Sequence, residues 1–176
     1  MNGSSLTAAS LAKELGKLLC ARNLTLAVAE SCTGGMIGAA ITSISGSSEY
    51  FLGGVIAYSN EIKTKVLGVG PGILLSKGAV SAESVAAMAR GAQRLLGAHC
   101  AISISGVAGP GGGTKLKPVG LVYVGIAAGK IVRTFRYRFE GNRQAVRRQA
   151  TVAALKRMIE AVKKNSSPQR HRAHRD

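Results

Sequence analysis

A serine at residue 31 and a lysine at residue 63 have the surroundings best suited to chemistry. Ser31 lies in Ala-Glu-Ser-Cys-Thr-Gly-Gly, residues 29–35, between an apolar run and an apolar segment interrupted by glycines. These flanks predict a buried strand over 24–29 and a helix over 36–44. Ser31 therefore occupies a strand-to-helix turn, where backbone N–H groups can receive the oxyanion formed when a hydroxyl attacks a carbonyl.

The same turn predicts the donors for that oxyanion. Thr33 can cap the new helix, and Gly34 and Gly35 leave its first N–H groups uncovered. The arrangement follows the principle of the nucleophile elbow of hydrolases, although Gly-x-Ser-x-Gly is absent. The alternative interpretation is a capped turn whose serine only satisfies backbone groups. Cys32 is a second candidate nucleophile, which we interpret as a small packing residue.

Lys63 belongs to Tyr58-Ser-Asn-Glu-Ile-Lys63, directly after a predicted strand over 51–58. A lysine in an apolar, partly buried site loses solvation of its charge, so its pKa falls and it can act as a neutral base toward a serine. Serine and lysine form such a pair on unrelated folds. Tyr58 could pass a proton or orient the lysine. The alternative is a strand end followed by a solvated helix face, on which Lys65 is expected to lie.

A glycine-rich loop after the third predicted strand, 100–105, suggests a site for phosphate or ribose oxygens, because its backbone can turn N–H groups inward. It lacks the ending of a Walker loop, and no helix opens directly after it as a dinucleotide fingerprint requires. The alternative is a flexible surface loop. The candidate binding residues here are Ser105, Gly106, Gly109, Gly112, Gly113 and Thr114.

Arginines at the start of the last predicted helix, 143–162, suggest an anion site. Asn142 is the expected cap, and the arginines of this segment, Arg143, Arg147 and Arg148, could grip a phosphate bidentately. Arginines near a helix start oppose the helix dipole, so their position is unfavourable unless an anion is bound. The alternative is a solvated basic face.

Composition and charge narrow the classes of protein. The chain has 176 residues, 46% hydrophobic and 18% charged, which fits one globular domain with a core. The net charge is +16; residues 133–176 carry 13 basic and 3 acidic side chains, +10 of that total. Nucleic acid, anionic lipid or a phosphorylated substrate could exploit this charge. Few aromatic residues accompany it, which disfavours a platform for stacking single strands.

Other patterns point to a cytoplasmic protein without metal or membrane contacts. No uncharged apolar stretch is long enough for a transmembrane helix, and the N-terminus lacks the pattern of a signal peptide. The three cysteines are widely spaced, which is typical of reduced thiols. The histidines, His99, His171 and His174, do not cluster with carboxylates, so no metal site and no cofactor are expected.

Helices alternating with strands predict an α/β fold, a three-layer α/β/α arrangement of a single domain over 1–164. A hairpin over 120–139 makes the central sheet mixed, and Gly53 and Gly54 predict a bulge or close packing in the second strand. Residues 72–77 are expected to be irregular or one turn. Residues 165–176 are predicted to be a basic, disordered tail. Ligands of such folds bind beyond the strand ends, where the candidate loops gather.

Several of these stretches together resemble one family, the C-terminal domain of competence/damage-inducible protein CinA, over roughly 6–164. The resemblance is carried by Ala29-Glu-Ser-Cys-Thr-Gly-Gly35, Tyr58-Ser-Asn-Glu-x-Lys63, Gly78-Ala-Val-Ser81, Ser105-Gly-x-Ala-Gly-Pro-x-Gly-Gly113, Lys117-Pro-Val-Gly120 and Arg147-Arg-Gln-Ala150.

The resemblance implies the activity of the stand-alone form of this domain, a nicotinamide-nucleotide amidase that converts nicotinamide mononucleotide to nicotinate mononucleotide and ammonia in pyridine nucleotide recycling. Ser31 would be the nucleophile and Lys63 the base, with Tyr58 assisting. Thr33, Gly34 and Gly35 would hold the oxyanion. The glycine loop and Arg147 or Arg148 would hold the ribose phosphate.

The resemblance also implies a homo-oligomer, and the pyrophosphatase role of the larger N-terminal domain of full-length relatives is not carried over. Gly111 stands where relatives can carry an acidic residue, so substrate affinity here is expected to differ if that carboxylate binds ribose. The alternative function is a non-catalytic nucleotide- or nucleic-acid-binding module related to the competence and damage response. Under the amidase reading, nucleic acid is expected to bind only non-specifically, through the basic tail.

Overall fold

The structure is a computed structural model that describes residues 7–164. Helices and strands alternate along most of this range, as predicted. The elements are α1 Ala8–Cys20, β1 Leu26–Glu30, α2 Met36–Thr42, a 3-10 turn Ser47–Glu49, β2 Phe51–Ile56, α3 Asn60–Lys65, α4 Pro71–Ser76, α5 Ala82–Leu96, β3 Cys100–Gly106, β4 Leu121–Ala128, β5 Ile131–Arg138 and α6 Arg143–Lys164.

The five strands form one mixed sheet in the order β2-β1-β3-β4-β5. β1 runs parallel to both β2 and β3, whereas β4 is antiparallel to β3 and to β5. The predicted three-layer fold with a mixed sheet is confirmed. Because β1, β2 and β3 are parallel, their carboxyl ends meet at one edge of the sheet. The loops that begin at residues 31, 57 and 107 leave the sheet together at that edge.

Side-chain alternation along the strands divides the core into two layers. Leu26 and Val28 of β1 point to a cluster that includes buried residues of α1, α2 and α6. Ala27 and Ala29 point to the other face, where they pack with buried residues of α5. Small residues on this second face let α5 approach the sheet closely. Among residues 7–164, no helix is both long and apolar enough to cross a bilayer.

The glycine pair in β2 forms the predicted bulge. Leu26 pairs with Phe51 and Ala27 with Gly53, so Leu52 is the extra residue on the β2 side. Gly53 has a φ of +131°, a backbone conformation that other residues rarely adopt. At Gly54 a Cβ atom would collide with the side chain of Val28. The bulge therefore lets β2 approach β1 closely just before the chain reaches Tyr58 and Lys63.

Two sequence expectations about local structure need correction. Residues 71–76 form α4, because Pro71 at its first position is preorganised for a helix. The helix after Ser31 is capped by Gly35 in the left-handed conformation, not by Thr33. The caps predicted at Ser81 and Asn142 are confirmed by their hydrogen bonds to backbone N–H groups. The predicted tail, 165–176, lies outside the described residues.

A close contact between α5 and the segment after α3 supports the position of Lys63. A Cβ atom on Gly91 of α5 would collide with the carbonyl oxygen of Leu67. Two residues further on, the N–H of Val69 donates to the carbonyl of Lys63 at 3.0 Å. The absence of a side chain at Gly91 thus lets α5 hold the segment that carries the lysine.

Gly91→Ala is expected to destabilise the protein, because the added methyl group has no room at Leu67. Overpacking costs about 1–3 kcal/mol, which exceeds the roughly 1 kcal/mol that alanine gains over glycine in a helix. Gly72→Ala in α4 is the matched control, since a Cβ atom there meets nothing within 4 Å. Urea unfolding of both variants measures the difference. Equal stability of the two would show that the contact is not tight.

Candidate active site

Ser31 lies at the point where β1 leaves the sheet. Its N–H still donates to the carbonyl of Ile104 on β3, at 3.1 Å. This bond keeps the serine in register with the strand while the chain turns toward α2. The residue is 8% exposed, so its hydroxyl lies at the base of the site and not on the surface. The predicted strand-to-helix turn is therefore present.

Lys63 brings its amine to that hydroxyl. Ser59 caps α3, and the helix turns the Lys63 side chain inward, where it is 1% exposed. Its Nζ lies 3.1 Å from Ser31 Oγ and donates to the carbonyls of Ala57, at 2.7 Å, and Tyr58, at 3.3 Å. The predicted proximity of Ser31 and Lys63 is thus found. Lys65 faces solvent, as expected, in an ion pair with Glu61.

Burial lowers the pKa of Lys63 below the ordinary lysine value, because the ammonium form has lost its solvent. None of the ion pairs among residues 7–164 includes Lys63. A neutral amine has two N–H groups and one lone pair. The two carbonyls can take the N–H groups, which leaves the lone pair for the Ser31 hydroxyl. The geometry therefore suits a general base.

Glu30, next to the serine, is a functional residue that the sequence analysis missed. It is 1% exposed, and its Oε2 accepts from the Thr33 hydroxyl and from the N–H groups of Gly35 and Ile37. Its Oε1 accepts from the N–H of Gly38. The carboxylate thus caps α2 from inside the protein. Its position between a predicted buried strand, 24–29, and Ser31 was the available signal, since a buried carboxylate needs several donors.

This cap changes the expected set of oxyanion donors. The N–H of Gly35 is taken by Glu30, and the N–H of Gly34 donates to the carbonyl of Ser31 at 3.1 Å. The expectation that both glycines leave their N–H groups uncovered is therefore wrong. Within the described chain, the N–H groups of Cys32 and Thr33 have no acceptor. The donor predicted at Thr33 therefore has no competing acceptor, although Thr33 does not line the cavity over Ser31, whereas Cys32 does line it and adds a second N–H group.

A cavity of about 240 Å³ opens over the Ser31–Lys63 pair. Of the predicted site residues, it is lined by Ser31, Tyr58, Lys63, Ser105 and Gly106. Cys32 and Arg143, from two segments that the sequence analysis singled out, also line it. The residues of the cavity wall that the analysis did not assign to the site are Asn60, Ala79, Val80 and Ala108. Asn60 and the Ala79–Val80 pair lie inside motifs that carried the family resemblance, which was the signal available for them.

Tyr58 accepts a hydrogen bond from Lys63, as one of its two predicted roles requires, but through its backbone carbonyl and not through its side chain. Its hydroxyl accepts from Arg143 Nη2 at 3.1 Å. The same arginine donates through Nη1 to the carbonyl of Gly109 at 2.9 Å. Arg143 therefore joins the tyrosine at one side of the cavity to the glycine-rich loop at the other.

The rest of the glycine loop lies away from the serine. Gly112, Gly113 and Thr114 are exposed and do not line the cavity. Thr114 closes a local turn with Lys117, through bonds of its hydroxyl and its N–H. Gly109 reaches the cavity only through Arg143. Only the first part of the predicted loop, at Ser105 and Gly106, is thus part of the cavity wall.

The two arginines expected to hold phosphate do not line the cavity either. Arg147 donates to the carbonyls of Cys32 and Thr33, at 3.2 and 2.6 Å. Arg148, the next residue of α6, is exposed. The arginine that faces the cavity is Arg143, at the first position of α6. The predicted arginine segment is therefore present at the site, but a different member of it points inward.

Cys32 is a poor alternative to Ser31 as the nucleophile. Burial raises the pKa of its thiol to about 12. The thiol therefore stays protonated near neutral pH, and the protonated form is a weak nucleophile. Cys32 also belongs to the core cluster shared with α6, which agrees with its interpretation as a packing residue.

Fold and site together define an α/β domain with a buried serine–lysine pair where three parallel strands end. Residues 8–162 match the family described as the CinA C-terminal domain. The chain belongs to that family, as the resemblance predicted.

Individual relatives agree with this assignment. A CinA-like protein of Trichodesmium erythraeum is 49% identical over 170 residues, which cover 93% of this chain and 40% of the relative. The chain thus spans well under half the length of that curated relative. A CinA superfamily structure from Enterobacter cloacae matches with a TM-score of 0.88 and 31% identity, covering 92% and 96% of the two chains. The structure of the competence damage-inducible protein A of Klebsiella pneumoniae matches with a TM-score of 0.87 and 34% identity, covering 89% of this chain and 98% of the other.

Glu30→Gln is expected to destabilise the protein, because an amide N–H₂ replaces one acceptor oxygen and faces backbone donors. Losing hydrogen bonds to a buried charged group costs about 1.5–3 kcal/mol. Glu61→Gln is the control, since its exposed ion pair with Lys65 is worth at most about 1 kcal/mol. Denaturant unfolding compares them. If Glu30→Gln were no less stable than Glu61→Gln, the cap that Glu30 forms on α2 would contribute nothing to the stability of the protein.

Proposed function

We propose that this domain is an amidase that hydrolyses the carboxamide of nicotinamide mononucleotide to nicotinate mononucleotide and ammonia. The observation that carries the proposal is the 3.1 Å contact between Ser31 Oγ and the buried amine of Lys63. A lysine with no carboxylate partner, held beside a hydroxyl under a cavity, suits a nucleophile–base pair. The family resemblance supplies the substrate.

The proposed reaction forms and breaks one acyl bond to the serine. Neutral Lys63 takes the Ser31 proton while Oγ bonds to the carboxamide carbon, and the carbonyl oxygen becomes an oxyanion. The C–N bond then breaks, and the leaving nitrogen takes the proton from Lys63 and departs as ammonia. A water then attacks the acyl-serine ester while Lys63 takes one of its protons. The acyl C–Oγ bond breaks, Lys63 returns that proton to the Ser31 oxygen, and the acid product leaves and ionises to the carboxylate.

The backbone and the cavity walls would bind the rest of the substrate. The oxyanion is proposed to accept from the N–H groups of Cys32 and Thr33, which have no acceptor in the described chain. Arg143 lines the same cavity and carries a charge that can pair with a phosphate. Ser105, 2% exposed on the opposite wall, offers a hydroxyl to the ring amide.

Ser31→Ala and Lys63→Met are expected to remove nearly all activity, because the two side chains act as one unit. Loss of a general base costs about 10²–10⁴-fold in rate, and loss of the nucleophile at least as much. The measurement is ammonia release from nicotinamide mononucleotide, with Lys65→Met as the control lysine on the same helix. Full activity of Ser31→Ala would reject the mechanism. Absence of ammonia release by the unaltered protein would reject the amidase and leave the binding-module alternative.

The rate should rise with pH through the pKa of Lys63. The protonated amine cannot accept the serine proton, and burial lowers the pKa of that amine. The rising limb of kcat/KM is therefore expected at a pH below the ordinary lysine pKa of about 10.4. A pH–rate profile measures the position of this limb. Lys65→Met is the control variant, in which the limb should lie at the same pH as in the unaltered protein. A limb at the ordinary lysine pKa would contradict the neutral-base role.

A further inference from the structure

Arg147 reaches from the second turn of α6 to the backbone just after the proposed nucleophile. Its Nε donates to the carbonyl of Cys32 at 3.2 Å, and its Nη2 donates to the carbonyl of Thr33 at 2.6 Å. Its Nη1 lies 3.3 Å from the side-chain oxygen of Gln144. All three nitrogens of the guanidinium are therefore engaged within the protein, and the residue does not line the cavity.

The two carbonyls that Arg147 binds belong to successive peptide groups, which carry the N–H groups of Thr33 and Gly34. The N–H of Gly34 is already bound to the carbonyl of Ser31. The carbonyl of Cys32 shares its peptide group with the N–H of Thr33, which has no acceptor in the part of the chain that is described. A cation bound to a carbonyl polarises the amide, so the N–H of that peptide becomes a stronger donor. Hydrogen bonds in a chain strengthen each other in this way.

The charge of Arg147 lies close to the turn that the carboxylate of Glu30 also binds. None of the ion pairs among the described residues includes Arg147. The positive charge therefore lies against the backbone of the turn without lining the cavity, and it favours negative charge that develops beside the turn. Preorganised charge of this kind lowers the energy of a transition state without contacting the substrate.

We infer that Arg147 is a positioning residue that fixes and polarises the oxyanion-binding turn, rather than a phosphate ligand. The inference rests on the proposed acyl transfer at Ser31. It assigns different roles to two arginines of one helix: Arg143 faces the substrate, and Arg147 holds the backbone that activates it. A fork of two N–H donors is needed to bind both carbonyls, so lysine is a poor substitute.

Arg147→Met and Arg147→Lys test this role, with Lys156→Met as the control for loss of an exposed charge on the same helix. Arg147→Met should lower kcat on nicotinamide mononucleotide by about 10²-fold, the lower end of the cost of losing an oxyanion donor. KM should stay within a few-fold of the starting value. Arg147→Lys should retain the fold and only part of the rate. Added guanidinium at millimolar concentration should restore part of kcat in Arg147→Met but none in Ser31→Ala.

Other results would overturn the inference. A rise in KM with kcat retained would make Arg147 a substrate ligand. Loss of kcat in both variants without guanidinium rescue, together with a lowered melting temperature, would make it a scaffold residue only.

A second measurement separates this inference from the proposed function. A fluorophosphonate probe labels an activated serine whatever the natural substrate is, and its attack also builds negative charge at the oxyanion site. Arg147→Met should label Ser31 more slowly than Lys156→Met does. Equal labelling would overturn the role of Arg147 even if ammonia release were found. If the unaltered protein releases no ammonia and Arg147→Met is still labelled slowly, the proposed substrate is rejected and the positioning role of Arg147 is kept.

Discussion

Taking a lysine amine out of water costs several kcal/mol unless its charge is paired or given up. Lys63 is 1% exposed and has only carbonyls and one hydroxyl around its Nζ. The fold holds it there through the α3 cap at Ser59, the bond from Val69 and the contact of α5 with Leu67. The rest of the site is arranged around this amine, because burial lowers the pKa of Lys63 and makes the neutral form accessible.

The turn that presents Ser31 is held by opposite charges from two directions. Glu30 accepts from the Thr33 hydroxyl and from backbone N–H groups at the start of α2. Arg147 donates to carbonyls of the same turn from α6. Each charge binds the backbone groups of matching polarity, so the peptide groups between them have little freedom to rotate. The turn is therefore rigid at the position where an oxyanion would need preorganised donors.

Most of the fold could be predicted from the sequence. Strand and helix positions agree within a few residues, because period-two and period-3.6 patterns depend only on neighbours along the chain. Gly53 signalled the bulge, and Ser81 and Asn142 signalled helix starts. The helix over residues 71–76 was underestimated, because its exposed residues carry little periodic signal. The contact of Ser31 with Lys63 was also predictable, because both follow parallel strands that end at one edge of the sheet.

The oxyanion donors and the roles of the arginines could not be assigned from the sequence. The order and spacing of residues placed a nucleophile, a base and a basic helix start at one edge of the sheet, since connectivity and strand direction are enough for that. They could not show that Glu30 takes the N–H of Gly35, or that Arg147 binds Thr33 across 114 residues of chain while Arg143 faces the cavity. The roles of the two arginines depend on the angle at which α6 packs beside the turn. Packing angles follow from many side-chain contacts across the core, and no local pattern in the chain encodes them.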